Sequence, residues 1–377
     1  MLNRRRITQV LIFLALSTSC GSPHSPREDA IPCILEPFST VGIVDTVTVT
    51  ERLGLSEQMF IVTDPKWEIS VPRGYLAANQ DGFFISGLGL GSLPVGVCHR
   101  NWTGEIVWTY EDSTFSGGYP SMLGDCCVRG DSLMVSASLQ KIMVLDVQSG
   151  SGPNWLTLYG NIGGRLDSES SVFIECAKSL DVSDEFLAIC WGHMTVRKLG
   201  VAASVYNWQG EELFSLSPQS GMEGLLGECL ITCSDSSIFL ANVSTDLVLE
   251  LSGEGELVRT LTAGYTAKDS LIKQSVRGGS SVVISPVISD IQYLERDELY
   301  VLYGPGAFSS DSSEVWRINL GTGEASVLAV SGNAIGLSVW DGRIVLSLRA
   351  DDINSQTMHW SDPENRILLG RFEQLNE

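Results

Sequence analysis

NWTGEIVW, residues 101–108, returns as NWQGEELF at 207–214. Asn, Trp, Gly and Glu keep their places, and an apolar run follows each time. Such a stretch reads as a tight turn, because Asn bonds to nearby backbone and Gly tolerates positive φ. Two copies of one turn, 106 residues apart, point to a repeated unit.

A second signal gives the period. An Asp in a tight turn, followed within three residues by an apolar strand, occurs at Asp81, Asp131, Asp184, Asp235, Asp297 and Asp341. The separations are 50, 53, 51, 62 and 44 residues. After each Asp turn comes a second hairpin, built from VGVCHRNW, KIMVLDV, ASVYNW, LVLELS, EVWRINL and QTMHWS. The turns that close these hairpins include TGE, QGE, GEGE and GTGE, so the opening stretch is one outer hairpin written in several repeats. One unit is therefore two hairpins, or four antiparallel strands. A lone meander has two apolar faces and cannot bury both, so neighbouring units must cover them and the array closes into a ring. No segment shows sustained helical spacing with caps at both ends.

On these repeats, residues from about 74 to 372 resemble six-bladed β-propellers of the NHL or YWTD-like type found in exported bacterial proteins. LELSGEGELVRTL and DELYVLY carry the likeness. TGEIVW also resembles repeats of pyrroloquinoline-quinone propellers. The expected fold is all-β, a six-bladed propeller of four-stranded antiparallel blades over 74–377, with seven blades as the alternative. Residues 41–73, with strand-like GIVDTVTV, QMFIVTD and KWEISV, either pair with the last blade to close the ring or form a degenerate seventh.

The N-terminus reads differently. Arg4, Arg5 and Arg6 precede a short apolar run, Val10 to Leu16, and then small residues before Cys20. This resembles a bacterial lipoprotein signal, in which that Cys receives lipid, although Leu16 lies one place upstream of the usual position. Residues 1–19 are expected to be removed, and 20–40 to form a tether. The chain is then exported and anchored in the cell envelope through Cys20, touching a membrane only by that lipid. Loss of three arginines takes the net charge from −21 to −24, which excludes the phosphate backbone of nucleic acid as a partner.

Eight further cysteines lie at 33, 98, 126, 127, 176, 190, 229 and 233. An exported chain with an even count invites disulfides, yet most lie in apolar strand-like runs where Cys acts as a small buried hydrophobe. Cys229 and Cys233 would stand on one strand face about 13 Å apart, too far to bridge. A vicinal Cys126–Cys127 bridge is the strained alternative.

One constellation could carry chemistry. On the first strand of four consecutive units an acid stands six to nine residues before the turn Asp: Asp125, Glu175, Glu228 and Asp290. First strands line a propeller's centre, so these carboxyls would converge, and calcium is the natural cation for such an oxygen-only ring. The structural alternative is that each acid bonds backbone amides of the next blade. Other matches dissolve. GDSL at 130–133 falls in a hairpin turn, and no helix follows GLGLG at 87–91 to seat a phosphate. His99 and His359 read as satisfied residues of third strands, His24 lies in the tether, and His193 has no orienting carboxylate. Recognition is expected on the long loops 111–121, 160–171, 192–201, 264–281 and 304–313, beside Tyr119, Trp191, Tyr265 and Phe308. These readings favour a non-catalytic propeller binding an envelope protein, peptide or glycan, with no cofactor. The rival is a calcium-dependent lactonase or hydrolase of propeller fold.

Overall fold

The computed structural model describes residues 44–62, 75–87, 95–112, 124–137, 141–158, 176–192, 203–216, 229–243, 245–265, 287–295, 297–304, 312–349 and 366–375. All regular structure among them is β. Two strands, β1 (Val44–Thr46) and β2 (Thr48–Val62), precede a series of meanders. The first sheet is β3 (Tyr75–Asn79), β4 (Gly82–Gly87), β5 (Val95–Asn101) and β6 (Ile106–Asp112). The second runs through β7 (Cys126–Arg129), β8 (Ser132–Ala137), β9 (Lys141–Asp146) and β10 (Asn154–Thr157). The third holds β11 (Cys176–Val182), β12 (Leu187–Gly192), β13 (Ala203–Tyr206) and β14 (Glu212–Leu216). The fourth holds β15 (Cys229–Cys233), β16 (Ser237–Asn242), β17 (Leu247–Ser252) and β18 (Leu257–Thr262), with β1 added in parallel outside β18.

The remaining strands are β19 (Ile288–Leu294), β20 (Glu298–Tyr303), β21 (Ser312–Asn319), β22 (Glu324–Ser331), β23 (Asn333–Trp340), β24 (Arg343–Arg349) and β25 (Arg366–Gln374). The repeats predict separate four-stranded sheets here, but hydrogen bonding joins them through β2 into one sheet of eight, ordered β19-β20-β21-β22-β2-β25-β24-β23. The first part of β2 lies parallel to β22 and the second part antiparallel to β25. The strand changes partner at Leu53, which pairs with both Leu328 and Gln374, and a register break between Ser56 and Met59, with Glu57 at φ 52°, falls within the pairing to β25. The sixth repeat thus differs from expectation. Its third place is taken by β25, paired directly with β24, and its outer strand comes from the N-terminal end of the chain. QTMHWS and KWEISV lie outside the described residues.

Each first strand touches the next: β3 packs on β7, β7 on β11, β11 on β15, β15 on β19, β19 on β23, and β23 returns to β3. The chain is a β-propeller. Its apolar cores are the seams between sheets, with one more enclosed within the sheet of eight. Phe83 and Phe84, adjacent on β4, show why: Phe83 packs with Val345 and Ile367, while Phe84 packs with Leu133, Val135 and Met143 of the second sheet. Alternate side chains point to opposite faces, so neither face is covered until both neighbours are in place.

The opening stretch explains its own recurrence. Asn101 Oδ1 accepts from the N–H groups of Thr103 and Glu105 at 3.0 and 2.9 Å, while its Nδ2 donates to Glu105 Oε2. Asn207 repeats this with Gln209 and Glu211 at 3.0 and 2.9 Å. Trp102 Nε1 donates to the carbonyls of Asn79 and Gln80, and Trp208 Nε1 to that of Asp184, tying outer hairpin to inner turn. An arginine from the preceding sheet covers each indole, Arg343 over Trp102 at 5.0 Å and Arg129 over Trp208 at 4.9 Å. Gly104 takes φ +83°, and a Cβ there would lie 2.5 Å from Ile61 Cδ1 of β2. The motif is therefore a seam fastener as well as a turn.

Candidate functional site at the ring axis

The first strand of each sheet is an inner edge, and its outward N–H groups have no further strand to meet. Side chains of the preceding sheet answer them. Asp125, just ahead of β7, accepts from Cys126 N with Oδ1 and from Leu180 N of β11 with Oδ2, both at 2.9 Å. Asp181 of β11 accepts from Val182 N with Oδ1 at 2.8 Å. Its Oδ2 accepts from Cys233 N at 3.0 Å and Thr232 Oγ1 at 2.5 Å, both on β15. Thr232 Oγ1 in turn accepts from Tyr293 N of β19 at 2.7 Å. Asp290 of β19 accepts from Ile291 N and, with Oδ2, from Leu337 N of β23 at 2.7 Å. Gln292 Oε1 takes Val339 N at 2.7 Å. A relay of side-chain clamps runs from β7 to β23.

Asp125, Asp181 and Asp290 are half-buried. Burial raises the Asp125 carboxyl well above its usual range. The charge of Asp290 adds to this, that of Asp181 adds less, and the N–H donors of Leu180 and Cys126 oppose it. Asp290 belongs to β19, three first strands further round from β7, yet it acts on Asp125. The two carboxyls are therefore within electrostatic reach of each other. Asp181 is pushed up to about 6 by burial, against the stabilising bonds from Thr232, Cys233 and Val182. Each named carboxyl oxygen accepts at least one hydrogen bond.

Of the acids singled out in the sequence, Asp125 and Asp290 are described and each clamps the next first strand; Glu175 and Glu228 lie outside the described residues, as does Cys20. Asp181 was not singled out, because it stands three residues before Asp184 rather than six to nine. The alternation in LDVSD was its available signal. Among the described residues, no group of three or more His, Cys, Asp or Glu side chains could hold a metal ion.

The other candidates sort as follows. His99 is a core residue but not a satisfied one. It is 2% exposed, stacks on Phe84 at 4.4 Å, meets Trp108 edge-on at 5.4 Å, and neither ring nitrogen has a hydrogen-bond partner. Burial lowers its pKa, partly offset by the Asp81 charge. Tyr265 packs edge-on against Tyr303 and Trp316 at 5.0 and 5.8 Å and donates to Glu314 Oε2 at 2.5 Å, as a buried-seam aromatic does. Gly130 and Asp131 form the turn from β7 to β8, so GDSL is part of a hairpin. Cys98, Cys126, Cys127, Cys190, Cys229 and Cys233 are buried thiols. Cys126 and Cys127 enter different seams, and burial raises both thiols. His24, His193, His359, Tyr119, Phe308, most of GLGLG and the greater part of the long loops lie outside the described residues.

No helix among the described residues is long and apolar enough to cross a membrane. No family model and no curated protein sequence matches the chain. Solved structures do resemble it. A member of the DUF4221 family from Bacteroides vulgatus is 10% identical, with 86% of this chain and 99% of that one covered at a TM-score of 0.51. A protein described as exported, from Bacteroides fragilis, is 14% identical over 89% and 100%, at 0.48. BamB from Moraxella catarrhalis is 11% identical over 86% and 99%, at 0.41. At such identities the likeness concerns fold alone, and only the first is close enough in shape to support even that.

Proposed function

We infer that this chain is an exported, lipid-anchored, six-bladed propeller that works by binding rather than catalysis. In the six-bladed reading, β2 belongs to two blades at once: it edges the blade begun by β19 and supplies the fourth strand of the blade begun by β23. Support comes from the cyclic succession of first strands, β3 through β23 and back to β3. For the absence of catalysis, the observation that weighs most is the use made of Asp125 and Asp290. Both oxygens of each accept backbone N–H groups, one of them across a seam. Each carboxyl is thereby used to fasten one first strand to the next, the structural role that the binding reading gives it. The ligand in this reading is an envelope protein, peptide or glycan. Cys20 supplies the anchor, and the acidity of the chain keeps nucleic acid away.

The rival reading, a calcium-dependent lactonase or hydrolase, draws on the convergence of Asp125, Asp181 and Asp290. Elemental analysis of the purified mature protein, joined to a lactone and phosphoester hydrolysis screen, separates the two. The binding reading expects no stoichiometric calcium, no turnover, and the same melting curve in calcium and in chelator. Bound calcium with turnover, lost in Asp125→Asn, would establish the rival.

A further inference from the structure

The seams at Trp208 and Trp102 share a geometry but not a charge balance. Between the second and third sheets, Arg129 covers Trp208 and its Nη2 meets Asp184 Oδ1. The carboxylate comes from the residue whose carbonyl accepts the indole N–H. Between the last sheet and the first, Arg343 covers Trp102 at 5.0 Å. The corresponding turn acid, Asp81, is turned elsewhere, its Oδ2 accepting from Gln148 Nε2 at 2.7 Å. Among the described residues, no carboxylate pairs with Arg343.

Two more arginines face the same seam. Exposed Arg371 of β25 is the cross-strand partner of Arg343. By alternation it shares the face of Ile367 and Leu369, which pack toward the first sheet. Side chains so opposed have Cβ atoms about 4.5–5.5 Å apart, and like charges there oppose pairing. Arg100 of β5 pairs with Phe83 and so faces the seam as well. It is 9% exposed, its Nη1 donates to Gly104 O at 2.7 Å, and its Nε has no hydrogen-bond partner. Neither Arg100 nor Arg371 meets a carboxylate among the described residues, whereas Arg259 and Arg317 pair with Glu250 and Glu51. Of the acids close in sequence, Glu105 accepts from Asn101 and Thr103 of its own turn. Asp341 and Glu373 are exposed and pair with none of the three. Three unmatched guanidinium groups thus share one seam of a chain whose net charge is −21.

We propose that Arg343 and Arg371, beside Trp102, bind a carboxylate presented by a partner protein, an Asp or Glu side chain taking the place that Asp184 takes at Trp208. This rests on the binding reading above and names the group recognised. The class of ligand follows from the internal comparison, because the group that completes the Arg129 site is itself a carboxylate. A guanidinium matches the two oxygens of such a group in geometry as well as charge. Arg100 adds its charge from within the seam, and the anion relieves the repulsion between the two cross-strand arginines.

The probe is N-acetylaspartate N-methylamide, with its asparagine analogue as control, titrated into the full mature protein and read at the indole N–H resonances. Trp102 is expected to shift saturably with the aspartate probe alone, while Trp208, whose arginine is already matched, stays in place. The double variant Arg343→Gln, Arg371→Gln is expected to weaken binding about tenfold, with an unmoved Trp208 resonance reporting an intact fold. Asp184→Asn frees Arg129 and is expected to make Trp208 respond as Trp102 does. A silent Trp102, an equal shift with the asparagine analogue, or unchanged binding by the double variant overturns the proposal. So does a Trp208 that stays silent in Asp184→Asn. Tighter binding of methyl phosphate overturns the carboxylate assignment. A Trp102 shift that follows protein concentration without probe makes the occupant a second copy and overturns the partner. None of these outcomes touches the binding reading, which fails separately, on calcium-dependent turnover.

Discussion

Gly104 carries two demands at once, a backbone at φ +83° and a Cβ-free approach to Ile61. Gly104→Ala is expected to cost about 1–2 kcal/mol from the left-handed backbone alone, with the Ile61 contact adding to it, read as a lowered denaturation midpoint. Two other residues set opposing pH dependences. His99 is held neutral in the fold, so its contribution is complete above 6.5, the ordinary histidine value, and is lost as pH falls through its lowered folded value. Asp181 runs the other way. Its folded value of about 6 lies above the ordinary 3.8, so its contribution is complete below 3.8 and is lost as pH rises through about 6. The wild-type profile sums the two and hides both. Melting His99→Phe and Asp181→Asn beside the parent across pH 4–8 separates them. His99→Phe is expected to gain on the parent as pH falls below 6.5, and Asp181→Asn to gain as pH rises from 3.8 to about 6. Parallel curves would show that neither group titrates as its surroundings dictate.

β2 is the element on which closure turns. Leu53 sits where the strand passes from β22 to β25, is 5% exposed and packs with Tyr300, Leu328 and Leu346. Leu53→Ala is expected to destabilise by about 2–5 kcal/mol, the range for a buried leucine that leaves a cavity. Exposed Phe60 on the same strand, at 57%, is expected to tolerate Ala within about 0.5 kcal/mol. Chemical denaturation of the pair checks both. The sequence announced β2 poorly. GIVDTVTV and QMFIVTD read as separate strands because LGLSE between them breaks the alternation, yet one strand runs through it and changes partner at Leu53. The six Asp turns were legible because Asp, Gly and an apolar run are local requirements of a hairpin. Which strand then takes the outer place is settled by residues some 300 positions away, and no local pattern encodes it. The same holds at the axis. Asp125 and Asp290 could be singled out by their spacing, whereas the role of Asp181 depends on β15 lying beside β11.

Because each apolar seam round the first four sheets belongs to two sheets, none of those four has a core of its own. Cys126 belongs to the seam between the first and second sheets and Cys127 to the next one, while Cys190, Cys229 and Cys233 share the seam between the third and fourth. Burial raises the Cys126, Cys127 and Cys233 thiols, so the reactive thiolate is scarce until the seam opens. The thiols therefore report on seams at different places round the ring. If the sheets stood independently, thiols in different seams would become reactive at different denaturant concentrations. Mutual burial instead requires that opening one seam strips cover from the sheets beside it, and that loss travels round the ring. Pulsed alkylation across a urea series, with peptide mapping, should therefore show these cysteines gaining label together, at the midpoint where β-structure is lost. Staggered labelling, with one seam open well before the next, would mean that the sheets hold their own faces and that the ring is not what keeps them folded.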